Sequence, residues 1–280
     1  MNTKQYPNVI EIYDNLNSFV SALEKGEVKD FYKDRFSSHR LKSADSRKNF
    51  FSCESYEEAV KFMLKGDLES AKLISETEKA QDIKGNGQKP QSEIYNSVQG
   101  FIPNMGRVLC GHPQNMINIR RNVIRNTKVV NIIYNLSTDY RAANIDIAKQ
   151  SSRLLAVVKD LESKGYQCNV FVMLLASYSS SNNNKGLFAV KIKDAGKPLN
   201  ITRLAFPLVN SDFLRRICLC WIEKHELYDK GYGIPYTSCW KNVQKEIKTL
   251  TPKFNGFYYC DYYSLKKSEN VWNELQKAVI

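Results

Sequence analysis

The chain has 280 residues, of which 42% are hydrophobic and 25% charged, a composition typical of a globular protein with a sizeable core. Its 41 Lys and Arg against 29 Asp and Glu give a formal net charge of +12, which favours an acidic partner such as nucleic acid, an acidic protein surface or a virion interior. No apolar run approaches the roughly 20 residues that a membrane span needs, so we expect no membrane partner.

Residues 1–92 are predicted to form a helical, basic N-terminal region. One amphipathic helical pattern lies within residues 1–28, and a second helix begins near Ser55, with Glu58 at the capping-box position. The apolar face of the first pattern consists of Ile12, Leu16, Phe19, Val20 and Leu23. A further helix is predicted from Leu68 to about Lys79, and the Gly-rich stretch before Pro90 is a linker or loop.

The interval between Glu93 and Asp139 contains no acidic residue and is the strongest local charge signal in the chain. Its candidate binding residues are Arg107, Arg120, Arg121, Arg125 and Lys128. One interpretation is a strip that contacts phosphates or another acidic partner. The other is a long structured loop whose arginines pair with carboxylates from elsewhere in the chain, and the sequence does not separate the two.

The predicted α/β core domain spans residues 93–280 and is centred on a strand–helix–strand unit. Val129 to Tyr134 and Asn169 to Leu175 are apolar runs of strand length, and the segment between them has a long helical pattern that Gly165 ends. Such a unit has two parallel strands joined by a crossover helix. Ligands of open parallel sheets bind beyond the carboxyl ends of the strands, so the polar loop 135–139 is the expected place for a site.

The remaining patterns complete a doubly wound, mostly parallel sheet with one antiparallel edge strand. Residues 187–193 follow the second core strand after a polar insert that is too short for a helix, which predicts an antiparallel hairpin with this strand near a sheet edge. Residues 211–225 are predicted to form a buried helix, and residues 257–263 the last strand. Cys168, Cys218 and Cys220 are predicted to be buried free thiols, and an odd count of seven cysteines without a signal peptide predicts a reducing cytoplasm.

This order of elements, over roughly the second half of the chain, is similar to that of von Willebrand factor A domains. Members of that family carry Asp-x-Ser-x-Ser after the first strand, where the carboxylate and hydroxyls hold a divalent metal, usually magnesium. The matching stretch here has Asn135 in place of the leading Asp, Ser137 at the middle position and Asp139 in place of the last Ser. Because Asn is a neutral, weaker ligand for a hard cation, we expect no cofactor and a polar turn that caps the helix; bound Mg²⁺ is the alternative.

A second resemblance covers more of the chain and concerns an uncharacterised family found in tailed-phage genomes. The blocks that carry it are Ser55-Tyr56-Glu57-Glu58-Ala59 with the following Gly66, Gly100-Phe101-Ile102-Pro103-Asn104-Met105, Gly111-His112-Pro113-Gln114-Asn115-Met116, and Pro207 to Arg216. The resemblance implies a viral protein made in the cytoplasm of an infected bacterium, or present in the virion. It implies no activity.

The sequence contains no P-loop, dinucleotide fingerprint, GxSxG or HExxH motif. Cys110 and His112 would share a face on an extended segment, and Asp139 and Asp146 offer carboxylates to a metal-dependent nuclease, but neither pair has the further partners that such sites need. We therefore predict a phage-encoded, non-enzymatic binding protein whose basic surface engages nucleic acid during replication or packaging. The alternative is a protein-interaction component, either a virion part or an inhibitor of a host defence enzyme.

Overall fold

A computed structural model of the chain describes residues 9–25, 53, 55–80, 92–121, 128–137, 144–179, 182–225, 236–237, 257–261 and 265. Its strands are β1 (Val9–Tyr13), β2 (Ser92–Ser97), β3 (Ile102–Pro103), β4 (Met116–Arg121), β5 (Val129–Asn135), β6 (Gln167–Ser179), β7 (Asn182–Lys193), β8 (Tyr236–Thr237) and β9 (Phe257–Asp261). Its helices are α1 (Leu16–Glu24), α2 (Tyr56–Lys65), α3 (Leu68–Ala80), α4 (Met105–Leu109), α5 (Asn144–Ser163), α6 (Ile201–Val209), a π-helical segment (Phe213–Cys218) and α7 (Leu219–Lys224).

The main sheet has the strand order β1-β7-β6-β5-β9, and β8 pairs with β6 outside this path. β6 runs parallel to β5, with Val170 opposite Ile132, and antiparallel to β7, with Leu174 opposite Phe188. β9 runs parallel to β5 on its other side. The predicted strand–helix–strand unit, the antiparallel hairpin and the last strand are therefore confirmed, and the fold is mixed α/β with a mostly parallel sheet.

The N-terminal segment differs from the prediction, because it begins with a strand of the main sheet. β1 pairs in parallel with β7, which makes β1 the edge strand and places the antiparallel strand β7 inside the sheet. Asn15 separates β1 from α1 by capping the helix: its side chain accepts a hydrogen bond from the Ser18 N–H at 2.8 Å. The apolar residues of β1 happen to continue the helical spacing of α1, so a single helix through residues 1–28 was the wrong prediction.

The apolar core lies on both faces of the sheet, because successive side chains of β6 point to opposite faces. Val170, Val172 and Leu174 belong to the larger apolar cluster, whereas Phe171 and Met173 belong to a smaller cluster on the opposite face. Among the described residues, every helix residue that belongs to a cluster belongs to the larger one, and the smaller cluster contains only strand residues. A doubly wound sheet, with helices on both faces, stays a prediction.

The helices of the larger cluster form the layer against which the sheet packs. α2 buries Ala59 and Met63, and α6 is buried along most of its length. Ser55 caps α2, as predicted, by accepting a hydrogen bond from the Glu58 N–H at 3.1 Å. Gly66 ends α2 at φ 106° beside Thr202 of α6, where a Cβ would lie 2.8 Å from the threonine methyl group. Only glycine fits this approach of the two helices.

The predicted buried helix at residues 211–225 is confirmed, although its first part is π-helical. Two charged side chains of this segment are buried: Asp212 accepts a hydrogen bond from the backbone N–H of Cys53, and Arg216 donates one to the carbonyl of the same residue. The closest approach between the Asp212 carboxylate and the Arg216 Nε is 3.8 Å. This pair fixes residue 53 against the helical layer.

A second, antiparallel sheet with the order β2-β4-β3 is separate from the main sheet. Residues from both sides of the predicted domain boundary at 92/93 contribute to the larger cluster, for example Phe19 and Met63 with Ile132. The division into regions 1–92 and 93–280 stays a prediction. Among the helices that the structure describes, none is long and apolar enough to cross a membrane.

Candidate functional site

Residues 92–121, hereafter the arm, form the second sheet together with α4. Backbone hydrogen bonds hold the arm together: Phe101 N–H donates to Ile117 O at 3.1 Å, and Asn104 N–H donates to Asn115 O at 2.7 Å. The Asn104 side chain caps α4 and also donates to the Asn96 side chain at 3.1 Å. At Gly100 a Cβ would lie 2.2 Å from the Ile117 carbonyl oxygen, so the close approach of these strands requires glycine.

The arm exposes an unusual amount of apolar side chain. Between residues 94 and 119, which the structure describes without a gap, no residue is buried. Among the residues that the structure describes, thirteen large hydrophobic side chains are exposed, and the arm supplies nine of them: Ile94, Tyr95, Val98, Phe101, Ile102, Met105, Val108, Leu109 and Ile119. Leu109 is 82% exposed and Ile94 70%. A high density of exposed apolar side chains in one small unit indicates an interaction site.

Three of the five predicted binding residues belong to the arm. Arg107 lies in α4, where its guanidinium donates a hydrogen bond to the Gln114 carbonyl at 3.3 Å. Arg120 and Arg121 occupy successive positions of β4, which belong to opposite faces of a strand. Arg120 is directly opposite Glu93 in the register of β2, so the one acidic position of the arm adjoins one of its arginines.

The other two predicted residues are not in the arm. Lys128 immediately precedes β5 of the main sheet, where its carbonyl accepts a hydrogen bond from the Gln167 N–H at 3.1 Å. Arg125 lies outside the described residues. The acid-free interval therefore includes both the arm and the start of the main sheet, and a single binding strip through it stays a prediction.

The carboxyl end of β5, where the von Willebrand-like motif was expected, contains a buried polar network. The Asn135 amide group donates to the Tyr259 hydroxyl at 2.9 Å, and its Oδ1 accepts from the Ser137 N–H at 3.1 Å and the Ser137 hydroxyl at 2.9 Å. This arrangement is an Asx turn, in which an asparagine side chain replaces a backbone turn. Both polar atoms of the Asn135 side chain are thus already engaged by protein groups. The third candidate metal ligand, Asp139, lies outside the described residues.

Two members of this network, Tyr259 and Asp261 of β9, were not predicted as site residues. Asp261 is opposite Asn135 in the parallel register, and the Tyr259 hydroxyl donates to its carboxylate at 3.4 Å. Burial raises the pKa of Tyr259, and the Asp261 charge adds to that effect. The signal available in the sequence was that Asp261 ends a second parallel strand. In the described part of the chain, no group of three or more His, Cys, Asp or Glu is arranged to hold a metal ion.

The candidate catalytic pair at positions 110 and 112 does not have the extended geometry on which it was predicted. Cys110 ends α4, and Gly111 follows with a left-handed φ of 64°, so the segment is a turn. The His112 Nδ1 accepts a hydrogen bond from the Gln114 N–H at 3.2 Å. The other thiols behave as predicted: Cys168, Cys218 and Cys220 are free and buried, and burial raises the pKa of Cys168 to about 12. Asp146, the other nuclease candidate, forms an exposed ion pair with Lys149 at 3.4 Å.

The sheet topology and these surfaces define the chain, first, as a mixed α/β protein with a mostly parallel sheet of five strands and a separate antiparallel sheet. Residues 2–277 match the family described as "Domain of unknown function (DUF7192)", and the chain belongs to that family. No curated protein and no solved structure matches the chain. The prediction of an uncharacterised family is therefore confirmed, whereas phage origin stays a prediction.

Proposed function

We propose that this chain is a non-enzymatic binding protein that engages an acidic protein surface through the arm. The observation that carries the proposal is the combination, in one small sheet, of exposed apolar side chains with a basic segment. The arm has Arg107, Arg120 and Arg121 against the single acidic residue Glu93. Interfaces between proteins combine an apolar centre with arginine, which suits this composition.

The chemistry of the exposed side chains favours a protein over nucleic acid. Seven of the nine large apolar side chains are aliphatic or Met, and only Tyr95 and Phe101 are aromatic. Exposed apolar surface of any kind can be buried against a protein partner, whereas proteins that bind single-stranded nucleic acid rely on aromatic rings that stack on the bases. Nucleic acid, the partner first expected from the net charge, is the second candidate, and Tyr95, Phe101 and the arm's arginines support it.

We also propose that the chain is phage-encoded and acts in the host cytoplasm or as part of the virion, because its sequence blocks resemble those of tailed-phage proteins. In both cases the arm is the surface that docks on the partner. The strand order β7-β6-β5-β9, with β7 antiparallel, supports a von Willebrand factor A-like arrangement to which β1 is added at the edge. In this proposal the loop after β5 has a structural role and binds no metal, because the Asn135 side chain is already hydrogen-bonded to Tyr259 and Ser137.

The proposal is tested by removing apolar surface from the arm without touching the core. Met105→Ser combined with Leu109→Ser changes two side chains that are 60% and 82% exposed. Leu68→Ser is the matched control, because Leu68 is 68% exposed but belongs to α3 of the main body. Tagged full-length chains are used to capture partners from nuclease-treated lysate of phage-infected cells, and captured proteins are identified by mass spectrometry.

We expect the wild-type chain and Leu68→Ser to retain the same acidic protein, and the arm variant to lose it while keeping its melting temperature. Retention by the arm variant equal to that of the wild type would contradict the proposal. Nucleic acid is examined in parallel with a labelled single strand at several salt concentrations. If nucleic acid is the partner, replacing Arg120 and Arg121 lowers the salt slope of the affinity by roughly one to two units.

A further inference from the structure

A cavity of about 340 Å³ lies at the edge of the main sheet where β1 and β7 end. These two strands are neighbours and run in parallel, and each leads into a helix: β1 into α1 through Asp14 and Asn15, and β7 into α6 through residues 194–200. The crevice beyond the carboxyl ends of parallel strands is the usual place for a ligand in sheets of this kind. The volume is within the range of small-molecule sites.

The lining of this cavity is more cationic than anionic. It includes Lys191, Lys193, Lys197 and Arg203, against the carboxylates Asp14 and Asp194. Lys193 is buried and forms an ion pair with Glu162 at 2.5 Å, so it is a fixed part of the wall. Lys197, whose side chain is 73% exposed, and the exposed Arg203, which donates a hydrogen bond to the Leu64 carbonyl at 3.4 Å, also line the cavity.

The carboxylate of Asp194 is a negatively charged group in the lining of the cavity. Its carboxylate forms ion pairs with Lys191 at 3.0 Å and with Lys197 at 2.6 Å. Hydrogen bonds from these two lysines hold the pKa of Asp194 below its ordinary value, so it is ionised at neutral pH. Both lysines line the cavity, so a second anion bound there would be attracted by their positive charge.

Polar and apolar groups occupy different parts of the remaining wall. Asn15 and Asn200, the N-cap residues of α1 and α6, border the cavity, so the positive ends of two nine-residue helices add to the cationic field. Leu16 and Leu64, which are partly exposed, provide an apolar side, with the buried Met63 and Leu204 behind them. A ligand that suits this wall has a compact anionic group and a small body with apolar surface.

We propose that this cavity binds a small phosphomonoester, with its phosphate held by Lys197 and Arg203 and its body against Leu16 and Leu64. A phosphate is favoured over a carboxylate because it carries more charge and more acceptor oxygens for ammonium and guanidinium donors. This inference does not rest on the arm or on the proposed protein partner. It assigns a second, separate binding site to the chain.

The experiment is isothermal titration of the full-length chain with three probes, inorganic phosphate, glucose 6-phosphate and adenosine monophosphate, and with glucose and adenosine as phosphate-free controls. We expect saturable one-to-one binding of at least one of the two organic phosphates, tighter than inorganic phosphate, and no binding of the phosphate-free controls. The absence of saturable binding by every phosphate probe at millimolar concentration overturns the proposal. Equal binding of an ester and its phosphate-free control overturns it as well.

Variants with opposite expected effects separate a binding role from a loss of folding. Lys197→Gln combined with Arg203→Gln is expected to weaken binding by about tenfold or more, because two charge-assisted contacts are lost. Asp194→Asn is expected to strengthen binding, because it removes a competing carboxylate from Lys191 and Lys197. Lys149→Gln, an exposed lysine of α5, is the matched control and leaves affinity unchanged. Weaker binding by Asp194→Asn, or unchanged binding by the double variant, contradicts the assignment.

Discussion

The indole N–H of Trp221 donates a hydrogen bond to the carboxylate of Glu11 at 2.5 Å, across 210 positions of sequence. The same carboxylate oxygen accepts from the Tyr13 hydroxyl and lies 3.2 Å from the His225 Nε2. Glu11 is in β1, whereas Trp221 is buried in α7 with its ring 4.9 Å from that of Phe188 in β7. This carboxylate therefore joins the edge strand of the sheet to the helical layer.

The stability that Glu11 contributes depends on pH. Burial alone would raise the pKa of this carboxyl, but hydrogen bonds from Tyr13 and Trp221, with the charge of His225, outweigh burial and hold the pKa below its ordinary 4.5. A carboxyl with a lowered folded-state pKa stabilises the protein above its unfolded pKa, and this contribution is lost as pH falls through the folded value.

We therefore expect Glu11→Gln to lower the melting temperature at neutral pH, and we expect the difference from wild type to narrow as pH falls below 4.5. Glu24→Gln, at an exposed position of α1, is the control and should change the melting temperature little at any pH. The measurement is thermal unfolding of the three chains across acidic and neutral pH. A difference that is constant with pH, or that widens in acid, would be inconsistent with this role.

Asp212→Ala is expected to lower the free energy of unfolding by about 3–5 kcal/mol, because it removes the carboxylate next to a buried Arg216. The substitution also removes the acceptor for the Cys53 backbone N–H. Asp146→Ala, which breaks the exposed pair with Lys149, is the control and should cost less than about 1 kcal/mol. Chemical denaturation measures both, and equal losses would show that burial of the Asp212 pair has no energetic consequence.

Gly66→Ala is expected to destabilise the protein by about 3–5 kcal/mol, since strain at φ 106° and ψ 153° adds to a clash with Thr202. Gly111→Ala separates the two effects. Its φ of 64° is also left-handed, but a Cβ there meets nothing within 4 Å, so the expected loss is about 1–2 kcal/mol. Denaturant unfolding of the two variants gives the comparison, and a Gly66→Ala chain as stable as wild type would refute the close approach of α2 and α6.

We expect the melting temperature to be the same in Mg²⁺ as in EDTA. The Asn135 side chain is engaged by Tyr259 and Ser137, and an ion that used its Oδ1 would have to displace those hydrogen bonds. Asn135 also contributes no charge to offset the dehydration of a hard cation. A clear upward shift with Mg²⁺, or an ordered ion in contact with Asn135, Ser137 and Asp139, would show that the loop after β5 binds metal.

The parts of the fold that could be predicted are the strands whose sequences are mostly apolar over five or more residues. β5, β6 and β7 lie in the middle of the sheet and are rich in Val, Ile, Leu and Phe, and the length of each connection indicates parallel or antiparallel pairing. β1 was missed because it is a short edge strand, whose five residues supply too few alternations to distinguish a strand from the helix that follows.

The candidate sites could be predicted only in part, because they combine residues that are distant in the sequence. The acid-free interval located the arm, but its short strands depend on Gly100 and on side-chain caps such as Asn104, and their apolar residues face outward, contrary to the usual pattern. Asn135 was predicted as a site residue, whereas its partner Tyr259, 124 positions away, becomes its neighbour only when β9 pairs with β5.

The most direct test of the account measures partner retention and thermal melting together for the full-length chain carrying Arg120→Glu and Arg121→Glu. We expect retention to be lost, through slower association, while the melting temperature stays nearly unchanged, because charges that attract an acidic partner act on association more than on folding. Lys149→Glu, on α5 of the main body, should alter neither quantity. A large drop in melting temperature for the arm variant, or retention equal to that of wild type, would contradict the assignment of the arm as the binding surface.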